Sequence, residues 1–201
     1  VTFSSLDDGY YFITTTTGTL VTVDSVAPNA IVKDKNEVPT VDKTVTGGTE
    51  TGSNTAAVDK EENTASVGDV LTYTATIHAK PNAKSYEFTD TMDTGLSLQK
   101  YDDDNNILVQ VGGSNLTINT QYTLDTWTVG KGGTFKITFL QSYLDSLNAN
   151  TDIVITYKVM VNEDAVIAGD GNVNTATLKY GDNKTETSDS TTTHVYKFGL
   201  Y

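Results

Sequence analysis

Hydrophobic and polar positions alternate along most of this chain with the two-residue period of half-buried strands. The alternation is clearest in "GYYFITT" (9–15), "TLVTVD" (19–24), "TVDKTV" (40–45), "VLTYTATIHA" (70–79) and "SYEFTDTM" (85–92). It continues in "ILVQVG" (107–112), "TLDTWTVG" (123–130), "TFKITFL" (134–140), "TDIVITYKVMV" (151–161), "VNTATLKYG" (173–181) and "THVYKFGLY" (193–201). Turn-rich segments such as "TGGTETGSN", "PNAK", "DTGL", "GKGGT" and "GDNK" separate them. Only "QSYLDSLNA" (141–149) reads as a helix, and a short one. Many strands at close spacing with little helix predict an all-β, immunoglobulin-like antiparallel sandwich.

The same alternation places three polar side chains among apolar ones. Lys43 shares a face with Val41 and Val45; Asp90 shares one with Tyr86, Phe88 and Met92; Asn174 shares one with Ala176, Leu178 and Tyr180. Each alone reads as a boundary residue or one partner of a buried ion pair. Together they ask for more, because a lysine and a carboxylate are almost never fully buried unless paired. Burial disfavours charge on both, lowering the lysine pKa and raising that of the acid. A neutral amine beside a protonated carboxyl is a nucleophile beside a proton donor, and the side-chain amide of Asn174 is a suitable electrophile. The expected product is a Lys43–Asn174 isopeptide bond, with Asp90 stabilising the oxyanion and ammonia leaving. Glu87 and Asp93 are the alternative acids; face alternation favours Asp90.

Composition narrows the setting. The chain has 201 residues and a formal charge of −13, which excludes the concentrated basic surface that nucleic acid requires and disfavours an anionic membrane. It has no cysteine, so disulfides and thiolate metal sites are excluded. No apolar run reaches the length of a bilayer span, and "VTFSSLDDGYY" is not a signal peptide. The chain is expected to be a soluble piece whose targeting and anchoring signals lie outside it.

Other candidate chemistry is weaker. "YDDDNN" (101–106) is rich in oxygen ligands but lacks the glycine and distal glutamate of a calcium loop, and reads as a solvated turn. His78 and His194 form no recognisable metal or triad motif. Trp127 reads as a core residue, and "GKGGT" as a hairpin turn rather than a phosphate loop. No cofactor is expected.

The motifs "PTVDKTV", "VGDVLTYTATI", "FTDTMDTGLSL", "ITYKVMVNEDA" and "NTATLKYG", in that order, resemble the isopeptide-forming D2-type domain of sortase-assembled pilins of Gram-positive bacteria. The resemblance covers roughly residues 37–195 and implies a collagen-adhesin A-like immunoglobulin fold. It implies a bond between Lys43 and Asn174 assisted by an acid, here Asp90. It further implies a structural module of a cell wall-anchored extracellular pilus, not a turnover enzyme, with sortase-linked pilin subunits as partners. Residues 1–36 then look like the closing strands of a preceding domain plus a linker, and 196–201 like the start of the next linker or module. Pilin backbones often carry a "YPKN"-like motif whose lysine receives the next subunit; in "VKDKNEVP" Lys35 holds that place, with Lys33 and Asp34 replacing tyrosine and proline. No LPxTG-type sorting signal occurs in the chain. The rival expectation is a host-binding adhesin domain with the same fold, recognising matrix protein or glycan. A carbohydrate-binding accessory module, with an exposed aromatic strip, is the third.

Overall fold

A computed structural model of the chain describes residues 7–13, 19–23, 38–48 and 61–196. The chain divides into two compact units, Val1–Val38 and Pro39–Tyr201. In the first, strands β1 (Gly9–Ile13) and β2 (Thr19–Val23) pair antiparallel, with Tyr11 opposite Val21.

The second unit is a two-sheet sandwich. One sheet runs from β3 (Thr40–Thr46) through β5 (Val70–Ala79) and β13 (Thr151–Val161) to β7 (Leu96–Gln99) and β11 (Gly130–Lys131). Strand β8 (Leu108–Val111), carrying the two-residue β9 (Ser114–Asn115), extends β7 along the same flank of β13. The other sheet has the order β10 (Tyr122–Thr128), β12 (Thr134–Phe139), β6 (Glu87–Met92), β14 (Asn172–Tyr180), β15 (Thr185–Val195), β4 (Glu62–Ala65). Among the described residues, every pairing between strands is antiparallel except β15 with β4, which is parallel. The architecture is the all-β immunoglobulin-like sandwich that the alternation predicts, with one parallel edge added.

Burial follows the pleat. Along β13, Ile153, Ile155, Tyr157, Val159 and Val161 are buried while the residues between them are not. Along β5, Leu71, Tyr73, Ala75, Ile77 and Ala79 do the same. These two faces meet Phe88, Phe135, Ile137, Ala176 and Leu178 of the opposite sheet to form one continuous core. Burying whole side chains of this kind contributes roughly 1.5–3 kcal/mol each against leaving them exposed.

The short helix expected within 141–149 is present but narrower. The helix is a single turn, α1 (Gln141–Leu144), because the amides of Ser146 and Leu147 bond three residues back and tighten the chain into a turn. The Ser/Thr/Asp-rich stretch before His194 forms most of β15, which His194 and Val195 close. Among the described residues, no helix is long and apolar enough to cross a membrane.

Candidate functional site

Lys43, Asp90 and Asn174 meet inside the sandwich. Lys43 is 1% exposed, and Asp90 and Asn174 are 0% exposed, so bulk water reaches none of them. Register explains the meeting. Asp90 pairs with Ala176 and Asn174 with Met92 on the adjacent strands β6 and β14, so the acid and the amide are diagonal neighbours on one inward face. Lys43 comes from the other sheet, where it pairs with Ala75 of β5. Alanine beside the lysine and alanine beside the aspartate leave the volume that the long side chain fills.

The lysine Nζ donates a 2.5 Å hydrogen bond to Asp90 Oδ2 and another to the phenol oxygen of Tyr157. Tyr157 in turn donates to the same Asp90 Oδ2 at 2.6 Å, and accepts from Asn174 Nδ2 at 3.2 Å. Nζ lies 4.9 Å from the Tyr157 ring centre and 5.2 Å from that of Tyr73, and the two rings stack at 5.7 Å. The lysine is therefore held on an aromatic floor, beside the acid. Asp90 Oδ1 and Asn174 Oδ1 are both buried with no hydrogen-bond partner among the described residues. Orphaned buried acceptors are rare in proteins.

Electrostatics follow from the missing solvent. Burial pushes the Lys43 pKa down, against the opposing pull of Asp90 and, more weakly, Asp189. Burial pushes the Asp90 carboxyl up, opposed by Lys43 and by the hydrogen bond from Tyr157. Tyr157 is raised well above the ordinary phenol value, first by burial and then by the neighbouring Asp90. All three shifts favour neutral forms: an amine, a carboxylic acid and a phenol.

The frame around the site is fixed at several points. The backbone N–H of Lys43 donates to Asp189 Oδ2 at 2.6 Å, tying edge strand β3 to β15 of the other sheet. Asn172, two residues before Asn174 on the same buried face, accepts from the Val166 N–H at 2.9 Å and donates to the carbonyls of Val166 and Thr193. That amide pins the start of β14. Gly95 permits this closure, since a Cβ there would lie 2.3 Å from Asn172 Oδ1 and 2.4 Å from the Ala165 Cα.

The alternative acids point elsewhere. Glu87 is on the outer face of β6, paired with Lys136 at 2.9 Å and with Lys184. Asp93 lies beyond the strand end, where its Oδ2 accepts from the Val173 N–H at 2.7 Å. Lys35 lies outside the described residues. Asp102 of the "YDDDNN" turn spends its carboxylate on its own loop, accepting from the backbone N–H groups of Asp104 and Asn105 at 2.9 and 2.7 Å. Trp127, expected in the core, is partly buried and packs at 5.9 Å against the core residue Phe135. His78 does more than occupy a strand: its two ring nitrogens bridge Asp152 and Asp42 on the flanking strands at 2.7 and 2.8 Å.

Sequence reasoning missed two participants. Tyr157 was legible as inward-facing from the alternation of "TDIVITYKVMV", but a tyrosine among Ile and Val reads as packing. Asp189 carried no signal, because the polar text around it hides the strand.

Comparison with known proteins agrees on the fold. A sequence model of the family described as the Sgo0707 N2 domain matches residues 51–194. The chain is 26% identical over 163 residues to the trypsin-resistant surface T6 protein of Streptococcus pyogenes serotype M6, covering 76% of this chain and 27% of that protein. It thus spans about a quarter of the length of that relative. The solved T6 backbone pilin of serotype M6 S. pyogenes, described as a modular three-domain structure, superposes with a TM-score of 0.61 at 21% identity. That alignment covers 93% of this chain and 44% of the pilin. The N-terminal domain of the Streptococcus gordonii adhesin Sgo0707 superposes with a TM-score of 0.53 at 22% identity, over 80% of this chain and 33% of the adhesin.

Proposed function

Because the chain belongs to the Sgo0707 N2 domain family, we propose that it is a structural module of a Gram-positive surface pilus, braced by a self-formed amide between Lys43 and Asn174. The observation that carries this reading is the convergence of a lysine, a carboxyl and an amide in one solvent-free cluster. Lys43, neutral and held by two hydrogen bonds, keeps a lone pair for attack on the Asn174 carbonyl carbon. Asp90, protonated, gives its proton to a hydrogen bond with Asn174 Oδ1 and stabilises the oxyanion. Such a proton would also satisfy both orphaned acceptors. Folding supplies the proximity that makes aminolysis of an amide feasible.

The bond would join the two sheets, β3 of one to β14 of the other, near the two ends of the unit's sequence. Tension entering at β3 and leaving at β14 would bypass the hydrogen-bonded core. This suits a shaft subunit, linked to its neighbours by sortase and exposed at the extracellular, wall-anchored surface. The hairpin within residues 1–36 is assigned to a preceding pilin domain, residues 37–195 to the bond-bearing domain, and Lys35 is the candidate acceptor of the next subunit. Similarity to T6, a surface protein and backbone pilin, supports this assignment.

A second reading, a host-binding adhesin domain, draws on the family's namesake, which is an adhesin in S. gordonii. Incubation of the full-length protein with sortase separates the two: a ladder of covalent polymers supports the shaft, its absence with retained matrix or glycan binding supports the adhesin.

The bond itself is tested by intact mass. The recombinant chain should weigh about 17 Da less than its sequence, the mass of one ammonia, and Asp90→Ala should restore the full value. A wild-type mass equal to the sequence mass would refute the bond.

A further inference from the structure

The geometry points to Tyr157 as a catalytic residue of this condensation, relaying a proton from the Lys43 amine to the Asn174 amide nitrogen as ammonia departs. The inference rests on the Lys43–Asn174 bond proposed above. Its foundation is that one phenol oxygen touches both reacting nitrogens: it accepts from Lys43 Nζ and from Asn174 Nδ2. It is also the donor to Asp90 Oδ2 at 2.6 Å. The ring cannot swing away, because it stacks on Tyr73 at 5.7 Å and takes the edge contact of Phe135 at 4.9 Å.

The chemistry requires such a group. When Nζ attacks the carbonyl carbon, the C–Nζ bond forms and the adduct nitrogen becomes cationic. The C–Nδ2 bond then breaks only if Nδ2 first gains a proton, since an amide anion is too basic to leave. One proton must therefore travel from Nζ to Nδ2 within a site that is closed to solvent. Asp90 is already committed to the oxyanion, and breaking that hydrogen bond to ferry a proton would raise the barrier it lowers.

Tyr157 completes the transfer without net change. In the planar amide, the Nδ2 lone pair is delocalised and Nδ2 can only donate, as it does here. In the tetrahedral adduct that nitrogen becomes an acceptor. The phenol hydrogen then turns from Asp90 to Nδ2 while the Nζ proton moves onto the phenol oxygen. Lys43 loses one of its two amine hydrogens, through this relay, and keeps the other as the amide N–H; Asn174 loses its NH2 as NH3, and Asp90 and Tyr157 each end as they began. Burial holds the phenol protonated throughout, so the relay is concerted and no free phenolate forms.

The test follows ammonia loss by intact mass during cell-free synthesis of the full chain, for wild type, Tyr157→Phe and Tyr86→Phe. Tyr157→Phe keeps the ring and its stacking. Tyr86, another buried core tyrosine, interacts with the backbone of Lys80 and controls for the loss of any buried phenol. The expected result is a rate about 10²–10⁴-fold below wild type in Tyr157→Phe, with an unchanged far-ultraviolet dichroism spectrum. Its residual rate should rise with pH, because the protons must then leave through solvent, and Tyr86→Phe should react like wild type. A wild-type rate in Tyr157→Phe overturns the relay and leaves the bond intact. Equal slowing in Tyr86→Phe also overturns it, by tracing the effect to packing. A wild type that never loses ammonia removes the bond and the relay together.

Discussion

Strand β6 carries two acids three residues apart, and the pleat sends them to opposite environments. Glu87 faces outward, its side chain 22% exposed, between Lys136 and Lys184. Those hydrogen bonds hold its carboxyl down to about 2. Asp90 faces inward against a single lysine and is pushed up instead, because burial outweighs the attraction of Lys43. Two carboxyls with lysine partners on one strand thus move in opposite directions. The partner does not decide the protonation state; water does. Where solvent stabilises ions, the pair stays a pair. Where it is excluded, neutrality is the cheaper state, and neutral amine and acid are the reactive forms.

The largest effect should come from breaking the inner pair. Asp90→Ala removes the proton donor, so the bond does not form; by analogy with a disulfide closing a loop this long, that costs about 5 kcal/mol. It also strands Lys43 without its buried partner, about 3–5 kcal/mol more. Lys43→Met also loses the bond, but it fills the same space with an apolar chain and leaves Asp90 as a neutral acid bonded to Tyr157. Urea melts should therefore rank wild type above Lys43→Met, and Lys43→Met above Asp90→Ala, with both variants at full sequence mass. Equal stability of the two variants would mean that the stranded lysine finds water after all.

The inner pair was readable because β3, β6 and β14 keep strict alternation, so Lys43, Asp90 and Asn174 each break an apolar row at a countable position. Glu87 fell on the other face by the same count. Legibility failed where the pleat is not written in apolar residues. Strand β7, "LSLQ", buries Leu96, Ser97 and Leu98 in succession, so no period appears, and its start reads as the end of the "DTGL" turn. Strand β15 turns Thr191 and Thr193 inward, and with threonine on both faces no apolar row marks the strand. Tyr157 was visible as a buried side chain, but a phenol's role lies in what its oxygen touches. Those partners come from β3, β6 and β14, and no spacing within β13 encodes them.

A smaller effect should come from the outer face. Glu87→Gln removes the charge from two ion pairs, worth about 1 kcal/mol together at this exposure, and should leave the loss of ammonia untouched. Its pH dependence has a definite sign. The folded carboxyl titrates near 2 against an ordinary value of 4.5, so the stabilisation is full above about 4.5 and disappears as the pH falls toward 2. Melting temperatures of wild type and Glu87→Gln should differ at neutral pH and converge in acid. A constant difference would assign the effect to packing.

The smallest effect should appear at His78, which extends the comparison to a base on the surface. Its ring nitrogens meet Asp152 and Asp42 from the flanking strands, and these hydrogen bonds raise its pKa above the ordinary 6.5. For a base with a raised folded pKa, the stabilisation is complete below about 6.5 and fades as the pH climbs through the folded value. The ring and both carboxylates are partly exposed, so the amount is less than about 1 kcal/mol. His78→Gln should therefore melt below wild type at pH 5 and approach it at pH 9, the reverse of the trend for Glu87→Gln. Adding salt should shrink the pH 5 difference, since exposed charges are screened within about 10 Å at 0.1 M. The Lys43–Asp90 cluster is shielded from ions as it is from water, so salt should leave the Lys43→Met and Asp90→Ala gaps in place. If salt erased those gaps too, the contrast between the two faces of β6 would be one of degree rather than of kind.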